Sequence, residues 1–189
     1  MKKIVITGGL GYIGTELCKI YSGYSRNDII TVIDNRFISE RVNQLRNWNI
    51  NFVHGDILEK NLIKKYCHDA DIVHHLAGIT DVPRVKSESN VENEDKIKLV
   101  AERGTQNILD SITDKCKIIM PSTHVVYEGI KQVKKNINEE EETFPVLSYG
   151  KSKDFNEKQL KSSGKNYVIL RLGSVYGYST DTARIDIMV

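Results

Sequence analysis

The sequence predicts a doubly wound parallel α/β fold, and three observations carry that reading. Short Val- and Ile-rich runs recur along the chain, stretches with helical periodicity lie between them, and a glycine-rich turn joins the first run to the first helix. Nearly continuous apolar runs suit strands buried on both faces. Regular alternation of strand and helix puts a parallel sheet in the middle and helices on both sides of it.

The expected strands are Lys3–Thr7, Ile29–Asp34, Asn51–His54, Ile72–Leu76, Lys117–Met120 and Tyr167–Leu172. Tyr12–Tyr21 reads as a helix through Ile13, Leu17 and Ile20, and Asn61–Tyr66 as a short amphipathic one. Over Asp95–Ile112, residues Ile97, Val100, Ala101, Gly104, Ile108 and Leu109 gather toward one side. A last helix, Leu147–Ser162, follows Pro145. Between 128 and 143 lies "EGIKQVKKNINEEEET", a basic cluster followed by four glutamates, read as a solvated loop or a mobile flap beside a site.

With 189 residues the chain suits one sizeable core. A formal net charge of +2 offers no strong field for nucleic acid or an anionic membrane, and no apolar run is long enough to span a bilayer. The start runs straight into a strand and lacks the pattern of a signal peptide. Three widely spaced cysteines, Cys18, Cys67 and Cys116, argue against a disulfide framework or a metal site and suit a reducing cytosol. A cytoplasmic protein without a bound metal is therefore expected.

Glycines at 8, 11 and 14 follow the first strand and open the first helix. Such a turn lets a pyrophosphate approach the backbone, where free N–H groups and the helix dipole favour negative charge. Asp34 ends the second strand 20 residues beyond Gly14, where an acid accepts hydrogen bonds from ribose hydroxyls and opposes a 2′-phosphate. NAD is thus favoured over NADP, although Arg36 stands close enough to blur the preference. Two Tyr–Lys pairs four residues apart invite a catalytic reading: Tyr127 with Lys131, and Tyr149 with Lys153.

From Gly14 onward the chain resembles a short-chain dehydrogenase/reductase, and later segments narrow this. Asp56-Ile57 is similar to the acid–apolar pair that holds adenine in the extended branch, and His75-Leu76-Ala77-Gly78 to that branch's turn beneath the cofactor. Ser122-Thr123 after the fifth strand, "SYGKSK" at 148–153 and "RLGSVYG" at 171–177 continue the match in order. The resemblance is to the NAD-dependent epimerase/dehydratase family, which includes UDP-glucose 4-epimerase and sugar-nucleotide 4,6-dehydratases. It implies a Rossmann-type domain over 1–177. Residues 178–189 then begin a C-terminal substrate region that is largely absent, and the fragment alone is expected to be inactive. It implies NAD held by Gly8, Gly11, Tyr12, Ile13, Gly14, Asp34, Asn35, Asp56, Ile57, Leu76, Ala77, Gly78, Tyr149 and Lys153. Thr123, Tyr149 and Lys153 would be catalytic.

The helical context selects Tyr149 and Lys153 over Tyr127 and Lys131, which flank Gly129 at the edge of a charged loop. A phenol must fall roughly three pKa units, about 4 kcal/mol, to act as a base at neutral pH. A nearby ammonium at ~5 Å offers about 3 kcal/mol of that at an effective dielectric of ~20. The expected function is NAD-dependent oxidoreduction at a hydroxyl-bearing carbon of a nucleotide sugar, of epimerase type. The alternatives are a sugar-nucleotide reductase or dehydrogenase and, in another class, a non-catalytic NAD-binding sensor. A homodimer is allowed for. Four positions depart from the family pattern: Ala101 and Ser174 replace asparagines, Tyr178 replaces a proline, and His124 follows Thr123. The 4,6-dehydratases carry an aspartate and a glutamate where this chain has His124 and Val125, so dehydration is not expected.

Overall fold

The computed structural model describes residues 1–24, 27–80, 91–132 and 136–177. Tyr178 and the expected start of a second region at 178–189 lie outside them.

Six strands, β1 Lys3–Thr7, β2 Ile29–Asp34, β3 Asn51–His54, β4 Ile72–His75, β5 Lys117–Thr123 and β6 Asn166–Leu172, form one parallel sheet in the order β3-β2-β1-β4-β5-β6. The chain reverses its direction of travel between β1 and β4, which opens a crevice at the carboxyl ends of these two strands. The helices are α1 Tyr12–Tyr24, α2 Ser39–Asn47, α3 Lys60–Cys67, α4 Val91–Leu99, α5 Thr105–Ser111 and α6 Ser148–Ser162. One apolar cluster joins Ile4, Ile6, Val32, Val42 and Leu45, and a second joins Val5, Ile33, Ile63, Val73, Ile108, Ile118 and Leu160. Alternate residues of β1 and β2 thus feed opposite faces, as a sheet covered on both sides requires.

Three elements differ from the sequence expectation. Helix α2 was not anticipated: its mean hydropathy is low, and only Val42 and Leu45 form its buried apolar edge. The helix expected over Asp95–Ile112 is broken by a π-helical turn, Val100–Gly104, between α4 and α5. Gly104 is needed there because a Cβ would stand 2.3 Å from Ile57 Cδ1. Carbonyls of this turn also tie it to α6, with Asn156 donating to Ala101 O at 2.9 Å and Gln159 to Glu102 O at 3.1 Å. Strand β5 runs on to Thr123 because β6 continues to pair with it through Thr123↔Leu172. The β4 ladder has already ended at His74↔Ile119, so Pro121 withholds no N–H from it.

Helix α6 is fastened to the sheet by a buried ion pair. Arg171 on β6 donates to both oxygens of Glu157 on α6, at 2.9 and 2.6 Å, and Ser122 Oγ donates to Oε1 at 2.5 Å. Lys161 adds a contact at 3.3 Å. Glu157 is 1% exposed, and these donors hold its carboxyl below its ordinary range against the opposing effect of burial. Arg171 also reaches Tyr127 OH and Glu139 O and lies over the Tyr127 ring. Removing one partner of such a pair leaves a buried charge uncompensated. Glu157→Ala should therefore cost about 3–5 kcal/mol in urea unfolding. Glu140→Ala on the exposed loop should stay within ~0.5 kcal/mol. A loss below ~1 kcal/mol for Glu157→Ala would show that the pair does not anchor α6.

Candidate active site

The glycine turn is built by close backbone approach. Gly8 has φ +71°, and a Cβ on it would meet Ala77 N at 2.7 Å and Leu76 C at 2.9 Å. A Cβ on Gly14 would meet Gly8 O at 2.5 Å and Gly9 Cα at 2.6 Å, so α1 starts hard against the turn. Gly11 looks outward: its nearest neighbours would be Gly8 O at 3.1 Å and the Arg36 guanidinium at 3.6 Å. The first and third glycines thus allow packing, while the second leaves the outer face of the turn accessible. That is the division of labour a pyrophosphate cradle needs, so the residues present fit a dinucleotide.

Asp34 lies beside this turn and is 5% exposed. Its carboxylate accepts from Leu10 N and Arg36 N, both at 2.9 Å, with Arg36 Nε at 3.5 Å. Both Arg36 contacts fall on Oδ1, and Leu10 N is on Oδ2. Arg41, buried on α2, donates to Leu10 O and was not singled out from the sequence. Asn35 donates to Asp56 Oδ2 at 2.8 Å, which joins the ends of β2 and β3. The side chain of Ile57 belongs to the core and packs on Gly104, and Asn107 donates to its carbonyl at 2.9 Å, which leaves its backbone N–H as the part that can face a ligand. Tyr12 and Ile13 stand at the start of α1, where Ile13 is exposed and Tyr12 OH donates to Gly177 O.

A buried relay fixes the other side of the crevice. Ala77 N donates to Thr7 Oγ1 at 3.3 Å, Thr7 Oγ1 bonds His75 Nδ1 at 3.0 Å, and His75 Nε2 bonds Thr105 Oγ1 at 2.9 Å. A neutral imidazole completes this chain, with one ring nitrogen accepting and the other donating. Burial, reinforced by the nearby Lys153 charge, lowers the His75 pKa to about 3. Leu76, Ala77 and Gly78 follow, and a Cβ on Gly78 would lie 4.0 Å from Lys153 Nζ.

Lys153, buried on α6, donates its ammonium to Pro121 O at 3.0 Å, and burial lowers its pKa to about 8. At pH 7 a lysine of that pKa is still about nine-tenths charged. Tyr149 stands half-buried one turn earlier on the same helix. Thr123 ends β5, is buried, and accepts from Val125 N at 3.2 Å to start a short 3₁₀ helix, His124–Tyr127. His124 is exposed and bonds Leu172 O through Nδ1 at 3.3 Å. The rival tyrosine is committed elsewhere: Tyr127 OH donates to Asn138 O at 2.7 Å and receives Arg171. Its loop is not a detached flap at these points. All three cysteines are free and buried, and burial raises their pKa values to about 11–12. Among the described residues no group of three or more His, Cys, Asp or Glu is placed to hold a metal, and no helix is long and apolar enough to cross a membrane.

Comparison with known proteins agrees with this architecture. Residues 5–183 match the 3-beta hydroxysteroid dehydrogenase/isomerase family, and the chain belongs to it. The curated relatives include nucleotide-sugar enzymes. CDP-paratose 2-epimerase of Salmonella typhi is 30% identical over 93% of this chain and 58% of its own length. The dTDP-D-glucose 4,6-dehydratase of Dictyostelium discoideum is 28% identical over 94% and 44%. The UDP-glucuronic acid 4-epimerase of Bacillus cereus, solved with NAD, superposes with a TM-score of 0.75 at 28% identity, over 92% of this chain and 57% of that one. The chain spans about half the length of the relatives it matches.

The His75 relay has a pH signature. Folded His75 refuses a proton down to about pH 3, whereas an unfolded histidine takes one near 6.5. Its contribution is intact above pH 6.5 and is lost as the pH falls toward 3, which amounts to about 2 kcal/mol by pH 5. Urea unfolding at pH 7 and pH 5 should show that His75→Gln, although weaker at pH 7, loses about 2 kcal/mol less on acidification than the parent. Identical losses in the two proteins would mean that His75 is not held neutral.

Proposed function

We propose that the full-length protein carries out NAD-dependent oxidoreduction at a hydroxyl-bearing carbon of a nucleotide sugar, as an epimerase. What supports this most is the convergence of Thr123, Lys153 and the Tyr149 turn on the same carboxyl edge as the glycine turn and Asp34. The nucleotide-sugar substrates of the relatives and the NAD found with solved neighbours point the same way.

In this reading Gly8, Gly11 and Gly14 let the pyrophosphate sit against the backbone, Asp34 accepts from the adenosine ribose, and Asp56 with the Ile57 backbone meets the adenine. Bound NAD supplies the acceptor, and then the donor, of a hydride at the sugar carbon. Tyr149 takes the proton of the sugar hydroxyl as the carbon is oxidised and returns it when the keto sugar is reduced on its other face. The ammonium of Lys153 lowers the cost of the phenolate, and Thr123 Oγ1 orients the reacting hydroxyl. A sensor that only binds NAD has no need of Thr123, Tyr149 and Lys153 together.

Loss of water needs an acid for the leaving hydroxyl and a base for the neighbouring proton. Val125 carries no proton, and His124 stands alone beside Thr123. Incubating the full-length protein with a panel of nucleotide sugars should therefore give a product of unchanged mass. Tyr149→Phe should reduce kcat at least ~10³-fold with NAD affinity within about twofold, whereas Tyr127→Phe should lower stability rather than kcat. A product lighter by one water would sink the epimerase reading and direct attention to His124. A two-hydrogen change would replace it by a reductase or dehydrogenase.

A further inference from the structure

We infer that Glu128, on the loop after β5, is a positioning residue that sets the first turn of α6 and so the place of Tyr149. The inference rests on the reading of Tyr149 as the base but is carried by a separate set of contacts. Helix α6 starts without the usual means of satisfying its free amides. Leu147, at the cap position, has no side-chain oxygen, no acid lies in the first turn, and Pro145 just before it has no N–H. Glu128, 18 and 19 residues upstream, instead holds the two amides at the entry to the helix, Val146 N and the cap amide of Leu147. Its Oε1 accepts from Val146 N at 2.7 Å and from Leu147 N at 2.6 Å. Hydrogen bonds to an ionised acceptor are roughly twice as strong as neutral ones, and a negative charge is favoured at a helix N-terminus.

The same residue is tied to Thr123. Thr123 Oγ1 receives Val125 N, and Glu128 N donates to Val125 O at 3.2 Å, which closes the 3₁₀ turn. Two backbone bonds clamp the returning segment to this turn: Phe144 N to Val126 O and Gly129 N to Phe144 O, both 2.8 Å. Gly150, next to Tyr149, is buried against it. A Cβ there would meet Pro145 Cβ at 3.1 Å, Val125 O at 3.3 Å and Glu128 Oε1 at 3.4 Å. The chain therefore runs Thr123, 3₁₀ turn, Glu128, amides of Val146 and Leu147, Tyr149. It connects the hydroxyl-orienting residue to the base without passing through the sheet. Loss of the carboxylate frees the Tyr149 turn while Pro121 still holds Lys153 and Glu157 still anchors α6 past its middle.

The test uses the full-length protein, with Glu128→Ala and Glu128→Gln beside the parent, because glutamine keeps an acceptor oxygen and alanine does not. Two readouts are taken. Amide hydrogen exchange in the NAD complex, which needs no substrate, should quicken at least tenfold at Val146 and Leu147 in Glu128→Ala and be unchanged around Leu160. Turnover per bound NAD should fall at least tenfold in Glu128→Ala, with NAD affinity and sugar KM within twofold, and Glu128→Gln should restore most of it. Parental exchange at Val146 and Leu147 in Glu128→Ala, or unchanged turnover per bound NAD, overturns the inference. Should the parent turn over no nucleotide sugar, the functional reading fails while the exchange comparison still decides the role of Glu128.

Discussion

The site depends on one backbone contact that leaves no room for a side chain. Gly8, at the end of β1, lies against Ala77, at the end of β4, and its positive φ turns the chain into α1 at that point. The two strands are the ones between which the chain reverses direction, so the contact sits at the mouth of the crevice. Everything around it serves to keep the contact closed: the Thr7–His75–Thr105 relay beneath, Asp34 and Arg41 on the glycine turn from the β2 side, and the π-turn whose Gly104 receives Ile57. A buried, neutral histidine is a costly way to join two strand ends unless all its bonds are made, and here both ring nitrogens are bonded.

Helix α6 presents the complementary problem. It carries Tyr149 and Lys153, so its position decides whether they meet Thr123. It is anchored by the buried Glu157–Arg171 pair near its middle, by Asn156 and Gln159 on the π-turn, and by Glu128 at its start. Burial draws the Lys153 ammonium toward neutrality, and the Pro121 carbonyl, past the end of the β4 ladder, gives it a partner. The ammonium thus keeps a bonded place near the carboxyl end of β5, one helical turn from Tyr149.

Much of this was legible in the sequence because strand identity and turn chemistry are local. The six strands, the glycine turn, Asp34 and the Tyr149 helix all announce themselves within a few residues. Helix α2 was missed because "SERVNQLRN" offers only Val42 and Leu45 as apolar contacts, and a helix that covers little sheet needs no more. The break in the 95–112 helix has no local sign, and the contact that demands Gly104 within it comes from Ile57, 47 residues upstream. The Ile57 side chain is given to the core and to Gly104, a contact that its place beside Asp56 in the sequence does not reveal. The acid of Glu128 reads as part of a solvated charge cluster, since nothing local reveals the amides 18 and 19 residues away that it binds. Long-range polar contacts of this kind have no periodicity to betray them.

The central claim is that the carboxyl edge of this sheet is an NAD site in which Asp34 receives the adenosine ribose. Titration calorimetry of the protein with NAD and with NADP tests it most directly. The account predicts NAD binding at least ~10-fold tighter, since the carboxylate stands where a 2′-phosphate would go. Equal or tighter binding of NADP would contradict it and transfer the ribose contact to Arg36.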